Sequence, residues 1–386
     1  MLFDGSSAVK LNFDGRAMLD AKAQYSTDPS QRGVGTITAT TIQGSSVDAV
    51  ANGFFRSGEI AAALALRDTV LPQAQRQLDE LAAGLSRALS DRQVVGAAAG
   101  GGLEIDLAGL KAGNAVTVDY TVGGVAKRVI LMPTTGGAPN PIPPADAAAP
   151  NATVIRVNIS GGVSAGIADV VAGFAAAGID IVATSPVADA WRFVPNAGTT
   201  LNGVSAGVTV DTLASGVPQM PLFVDKGYGN SVFTGSFEGG SHLTGFAQRI
   251  AINPLVVAQP ANLVVSGSGV LQGDPARPTF LLDALTKAQR SFSGATGIGG
   301  GVPFSSPVAE FARRIVETQG SNAEMAQRLD EGQQVARAAI ESRFADYSGV
   351  NIDQEMALLV QLQTAYGANA RVMTAVRDML DMLMRI

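Results

Sequence analysis

The last 36 residues of the chain, Asn351 to Ile386, limit most strictly what it can fold into. They contain no proline and one glycine, Gly367. Asn351 fits an N-cap, with Gln354 three residues on to complete a capping box. About 35 residues at ~1.5 Å each predict a helix roughly 50 Å long. Leu358, Leu362, Ala365, Asn369, Val372, Val376, Met379, Leu383 and Ile386 recur at alternating steps of four and three, a heptad seam with one polar position, Asn369. A second row, Ile352, Met356, Leu359, Tyr366, Ala370, Met373 and Leu380, is interrupted by Gln363 and Arg377. Two adjoining rows make an apolar face wider than one partner helix needs. Pattern alone allows two readings: the last helix of an intramolecular bundle, or an assembly helix with one row turned to a neighbouring subunit. Five of the ten methionines lie here, and their flexible side chains suit either gap-filling or changing partners.

Upstream, the pattern is helical again on both sides of a different middle. Ile60, Leu64, Leu66, Val70 and Leu71, then Leu78, Leu81, Leu85 and Leu89, mark helices interrupted at Pro72. Val308, Phe311, Ile315 and Val316 mark another, which Ser306 and Pro307 would open. Met325, Leu329, Ala336, Ile340 and Phe344 mark a second, expected to run from about Ser321 to Ala345. Between them only 13 of the 120 residues from Gly101 to Met220 are charged, and glycines punctuate short β-like runs. Val116, Val118, Tyr120 and Val122 alternate as a half-buried strand does, and Gly123-Gly124 suits a hairpin turn. Strands are expected at 103–107, 154–159, 179–183, 222–224, 231–237, 255–257 and 263–265, with a short helix over 165–177. The organisation predicted is α+β and multidomain: a partial β/coil segment at 1–56, a helical shaft segment at 57–95, β-rich outer domains at 96–304, a helical shaft segment at 305–350 and the C-terminal assembly helix at 351–386.

Composition removes several classes of function. A net charge of −6 argues against a nucleic-acid or anionic-membrane partner. No cysteine and a single histidine, His242, leave no common zinc ligand set and no cofactor to expect. No signal peptide and no uncharged run of membrane-spanning length is seen. Gly297 to Gly301 reads as a flexible linker. The G-x-S-x-G of Gly162–Gly166 fits a nucleophile elbow with Ser164 as nucleophile, but the same pattern recurs at Gly203–Gly207, where no helix follows. A serine hydrolase using Ser164, or an adhesive binding module in the β-rich middle, are the rival readings.

The run Ser348-Gly349-Val350-Asn351-Ile352-Asp353, then Glu355-Met356, Gln361, Gln363, Ala365-Tyr366 and Ala368 to Val372, resembles the C-terminal signature of flagellar axial proteins. Leu66-Arg67-Asp68, Leu71-Pro72 and Gln77 to Leu81 resemble a helical segment of the same family. Within it the likeness is to the hook-associated proteins joining hook to filament, over about 57–90 and 305–386. The resemblance implies a non-enzymatic structural subunit that works by packing, in a ring of its own copies, against the hook protein and a second junction protein. It also implies an export chaperone, and delivery to the cell exterior by type III export without a cleaved signal peptide. The family's long N-terminal helical region, partner of the last helix, is expected to be missing from this chain.

Overall fold

The computed structural model describes residues 9–13, 17–24, 33–40, 45–56, 58–135, 152–237, 240–241, 243–267, 269–271, 273–302, 304–348 and 351–385. They fall into two compact units, Met1–Val316 and Glu317–Ile386. The architecture is α+β, with helices before and after a β-rich middle and a long helix at the C-terminal end.

The first unit opens with an antiparallel meander of β1 (Val9–Phe13), β2 (Ala17–Gln24), β3 (Gly33–Thr40) and β4 (Ser46–Asp48). Helix α1 (Gly58–Ala65) passes through one π-helical turn, Leu66–Val70, into α2 (Leu71–Ser90). Pro72 comes directly after the π-helical turn; it cannot donate to the preceding turn, so it marks a change of winding in the hydrogen-bond ladder and does not end the rod.

At Ser90 the chain enters a β-rich insert. It comprises β5 (Asp91–Val95), β6 (Ala97–Ala99), β7 (Gly102–Asp106), β8 (Ala115–Val122), β9 (Val125–Thr134), β10 (Thr153–Asn158), α3 (Ile167–Ala176), β11 (Ile181–Thr184), β12 (Ala190–Pro195) and β13 (Thr199–Thr209). One sheet has the order β10-β9-β8-β13-β5, the other β11-β12-β7-β6. Only β10 and β9 run parallel among these pairs. Val116, Val118 and Tyr120 face inward as their alternation predicts, and both glycines of the Gly123-Gly124 turn take positive φ, as a tight hairpin requires. The two sheets and α3 share one core around Ile105, Leu131, Val157, Phe174, Trp191 and Phe193. Trp191 is wholly buried, and its Nε1 donates to the Val163 carbonyl at 2.9 Å. The insert's two ends meet: Thr209 pairs with Asp91, and the Val210 amide donates to the Ser90 carbonyl at 2.9 Å.

After the insert the chain packs back onto α2. It forms β14 (Phe223–Asp225), β15 (Ser231–Val232), β16 (Ser236–Phe237), β17 (Gly240–Ser241), α4 (Phe246–Arg249), β18 (Ile250–Ile252), α5 (Pro254–Ala258), α6 (Ala276–Thr286), β19 (Arg290–Phe292) and β20 (Phe304–Ser306). Leu81, Leu85, Ala88 and Leu89 of α2 meet Ala284, Phe292 and Phe311; Ala82 and Ala83 meet Phe233 and Phe246. Phe292 stacks on Phe311 with ring centroids 3.9 Å apart, and Phe233 on Phe246 at 4.3 Å. Gly84 admits this packing, since a β-carbon there would lie 2.9 Å from the Phe292 ring.

The buried face of α2 also carries charge. Gln77, Asp79 and Glu80 are buried, while Leu78, expected in the core, is half exposed. Each polar group holds a loop. Gln77 donates to the Thr296 carbonyl at 2.9 Å, Glu80 accepts from the Ser293 amide at 3.1 Å, and Asp79 accepts from the Gly245 and Ala247 amides at the start of α4. Satisfied backbone groups offset the cost of burying these side chains.

Four local expectations are corrected. Residues 255–257 are helical, because Asn253 caps Leu255 and Pro254 pre-sets the first turn. Residues 263–265 form no strand; a 3-10 turn over Pro260–Leu263 precedes them, and the carbonyls of Asn262 and Val265 accept from Arg277. The glycine run at 297–301 is no free linker, since Ile298 is buried among Phe292 and Phe311. Ser306 does not cap the following helix: its hydroxyl donates to the Pro307 carbonyl. His242 and the proline-rich stretch near residue 140 lie outside the described residues.

The final helices are α7 (Val308–Ser348) and α8 (Ile352–Leu383). Two shorter helices were expected where α7 stands. No proline interrupts 308–348, and i,i+4 pairs such as Arg337–Glu341 at 2.7 Å support its exposed length. Val308, Phe311 and Ile315 are buried in the first unit.

Candidate assembly surface

Asn351 opens α8 as the sequence predicts: its Oδ1 accepts from the amides of Asp353 and Gln354, at 3.0 and 3.3 Å. Asp353 and Glu355 place negative charge in the first turn, favourable to the helix dipole.

At ~100° per residue, the first row (Leu358, Leu362, Asn369, Val372, Val376, Met379, Leu383) and the second (Ile352, Met356, Leu359, Tyr366, Met373, Leu380) adjoin and cover about 220° of the helix circumference. Thirteen of the fourteen residues expected to form the interface thus share one broad face. Ile386 lies outside the described residues. No residue of α8 is buried. Val376, the most covered of the large apolar residues, is 41% exposed, and Leu383 is 74% exposed. Sequence reasoning omitted Val360 and Met382, exposed apolar residues outside the two rows. On α7 the apolar positions Met325, Leu329, Ile340 and Phe344 are likewise exposed, joined by Val335 and Tyr347.

The alternative chemistry finds less support. Ser164 does lie between β10 and α3, the strand–turn–helix setting of an elbow. Its hydroxyl accepts from the Asp189 backbone amide at 3.3 Å, and no acidic or histidine side chain among the described residues hydrogen-bonds to it. Ser205 is a paired residue inside β13. No cluster of three or more metal-binding side chains occurs among the described residues, and no described helix is long and apolar enough to cross a membrane.

Two segments of the chain match flagellar families, which places its likeness among the axial proteins of the bacterial flagellum. Residues 3–107 match the helical domain of flagellar hook-associated protein FlgK, and residues 341–386 match the C-terminal region of the flagellar basal body rod proteins FlgEFG. The resemblance is thus to flagellar hook-associated protein 1, and the matches support a structural role in the flagellum. The first match runs well beyond the helical run at 57–90 that carries the resemblance in the sequence; residues 305–340, included in that resemblance, lie in neither match. No curated protein sequence and no solved structure matches the chain.

Proposed function

We propose that the chain is a structural subunit of the hook–filament junction, acting by subunit packing and without catalysis. The observation that carries this reading is the uncovered two-row apolar face of α8. A strict seam on one helix serves one partner; a face about twice as wide serves two. Burying each Leu, Val or Met side chain contributes roughly 1.5–3 kcal/mol, so the face favours association strongly. Its occupants are neighbouring copies of the chain in a ring, the hook protein and the second junction protein. Before export, a chaperone covers the same face. The chain is delivered outside the cell without a cleaved signal peptide.

Sedimentation of the purified chain, alone and with purified hook protein, tests the reading. The wild-type chain is expected to self-associate and to co-sediment with hook protein, and Leu362→Asp combined with Val376→Asp to remain monomeric and unbound. Equal association by both proteins would overturn it.

A further inference from the structure

The insert meets the body of the first unit at a cavity of about 430 Å³. Arg87 reaches it from α2, Asp91 and Gln93 from β5, Asn114 from the turn before β8, Gln289 from the residue before β19 and Arg290 from the start of β19. A second cavity of the same volume shares Asp91, Gln93 and Arg290. The charges do not cancel. Two guanidinium groups and one carboxylate line the first cavity, yet none of the three forms an ion pair with any described residue. Asp283 and Lys287, which line the second, pair with each other at 2.8 Å. Asp91 uses Oδ1 to accept from Thr209 and Ser90, which leaves Oδ2 for a donor in the cavity. Burial lowers the pKa of Arg290 against the opposing effect of Asp91, and Arg87 adds to the lowering.

We propose that this cleft binds a small oxyanion that also carries a hydroxyl group: a hydroxycarboxylate or a hydrogen phosphate. The anion accepts from Arg87 and Arg290 and supplies the missing negative charge, while its hydroxyl donates to Asp91 Oδ2. Gln93, Asn114 and Gln289 offer further polar contacts. The volume lies within the range of small-molecule sites, ~300–1,000 Å³.

Calorimetric titration of the full chain with citrate, with inorganic phosphate and with acetate, at constant ionic strength, tests the site. Saturable one-site binding of citrate or phosphate is expected, with acetate weaker because it has no hydroxyl and carries a single negative charge. Arg290→Gln and Arg87→Gln should each weaken it on the order of tenfold, as loss of a charge-assisted hydrogen bond does. Thermal melts verify that the variants fold. No saturable binding of either probe by the wild-type chain, or unchanged affinity in both variants, would overturn the proposal. The comparison of citrate with phosphate decides which oxyanion fits.

Discussion

The Thr209 hydroxyl donates to the Asp91 carboxylate at 2.8 Å, and Asn114 donates to the same hydroxyl at 2.7 Å. Asp91 is the first residue of the insert and Thr209 the last of its final strand, so this buried bond closes the base of the domain. Thr209→Val keeps the shape and removes the donor. It should destabilise the protein by about 1–3 kcal/mol, the cost of leaving buried polar groups unpaired, as read by denaturant unfolding.

Asp91 gives that base a pH dependence. Burial raises its pKa above the ordinary aspartate value, against the hydrogen bonds and the nearby arginines. A raised folded-state pKa means the folded protein holds the proton more tightly than the unfolded chain. The associated stability is fully present below the unfolded value and lost as pH rises through the folded one. Asp91→Asn keeps an acceptor for Thr209 and cannot ionise. Its stability relative to wild type should therefore improve as pH rises from ~4 to ~7. A constant difference across that range in denaturant titrations would show that Asp91 does not titrate there.

The insert should fold without the rest of the chain. Its core draws only on residues between Val94 and Val208, and its ends are already hydrogen-bonded to each other. Trp191 is the only tryptophan and is fully buried, so it reports directly. A fragment spanning 91–209 should show blue-shifted Trp emission and one cooperative melt. Replacing 92–208 with a short glycine-rich linker should leave the remaining helices folded by circular dichroism. Removing 210–306 as well takes Phe233, Phe246, Phe292 and Phe304 from α2 and should abolish cooperative unfolding.

Arg277 is a hub for main-chain carbonyls. Its guanidinium donates to Val217, Pro218, Gln219, Asn262 and Val265, and it is almost fully buried. Desolvation lowers its pKa. Arg277→Met fits the volume but strands several acceptors at once. It should cost about 3 kcal/mol or more in denaturant unfolding, and Arg277→Lys should recover only part, because a point charge cannot reach all five carbonyls.

What was legible in the sequence was periodic. The alternation through Val116 to Tyr120, the glycine pair after it and the heptad rows of α8 each fix one local choice, and the structure follows them. The run Leu255-Val256-Val257 has no period that separates strand from helix, and its state is set by the Asn253-Pro254 pair before it. The buried charges of α2 were illegible for another reason: Asp79 and Glu80 look like solvent-facing residues until the loops they hold, more than 160 residues away, are in place. The cleft at the neck has the same origin, since Arg87 and Arg290 are brought together only by the return of the chain onto α2.

The final prediction concerns α8 in the isolated chain. A helix of 32 residues with no buried side chain has only its backbone hydrogen bonds and its cap to hold it. Most helical stability in proteins comes from tertiary packing, which this helix lacks within the described residues, and Gly367 lowers its propensity by ~1 kcal/mol. In dilute monomer the amides of 355–383 should exchange orders of magnitude faster than those of β8 or β12, which lie in a packed core. Conditions that drive association should slow exchange along Leu358, Leu362, Val372 and Val376 first, because burial of those side chains is what stabilises the assembled state. Asn369→Leu, at the one polar position of the main row, should strengthen that association and broaden it into several oligomers, since a polar core position costs stability and sets register. Hydrogen exchange on the wild-type monomer is the deciding measurement. Strong protection of α8 at high dilution would mean the helix is held within its own chain, and its exposed rows would not be an assembly surface.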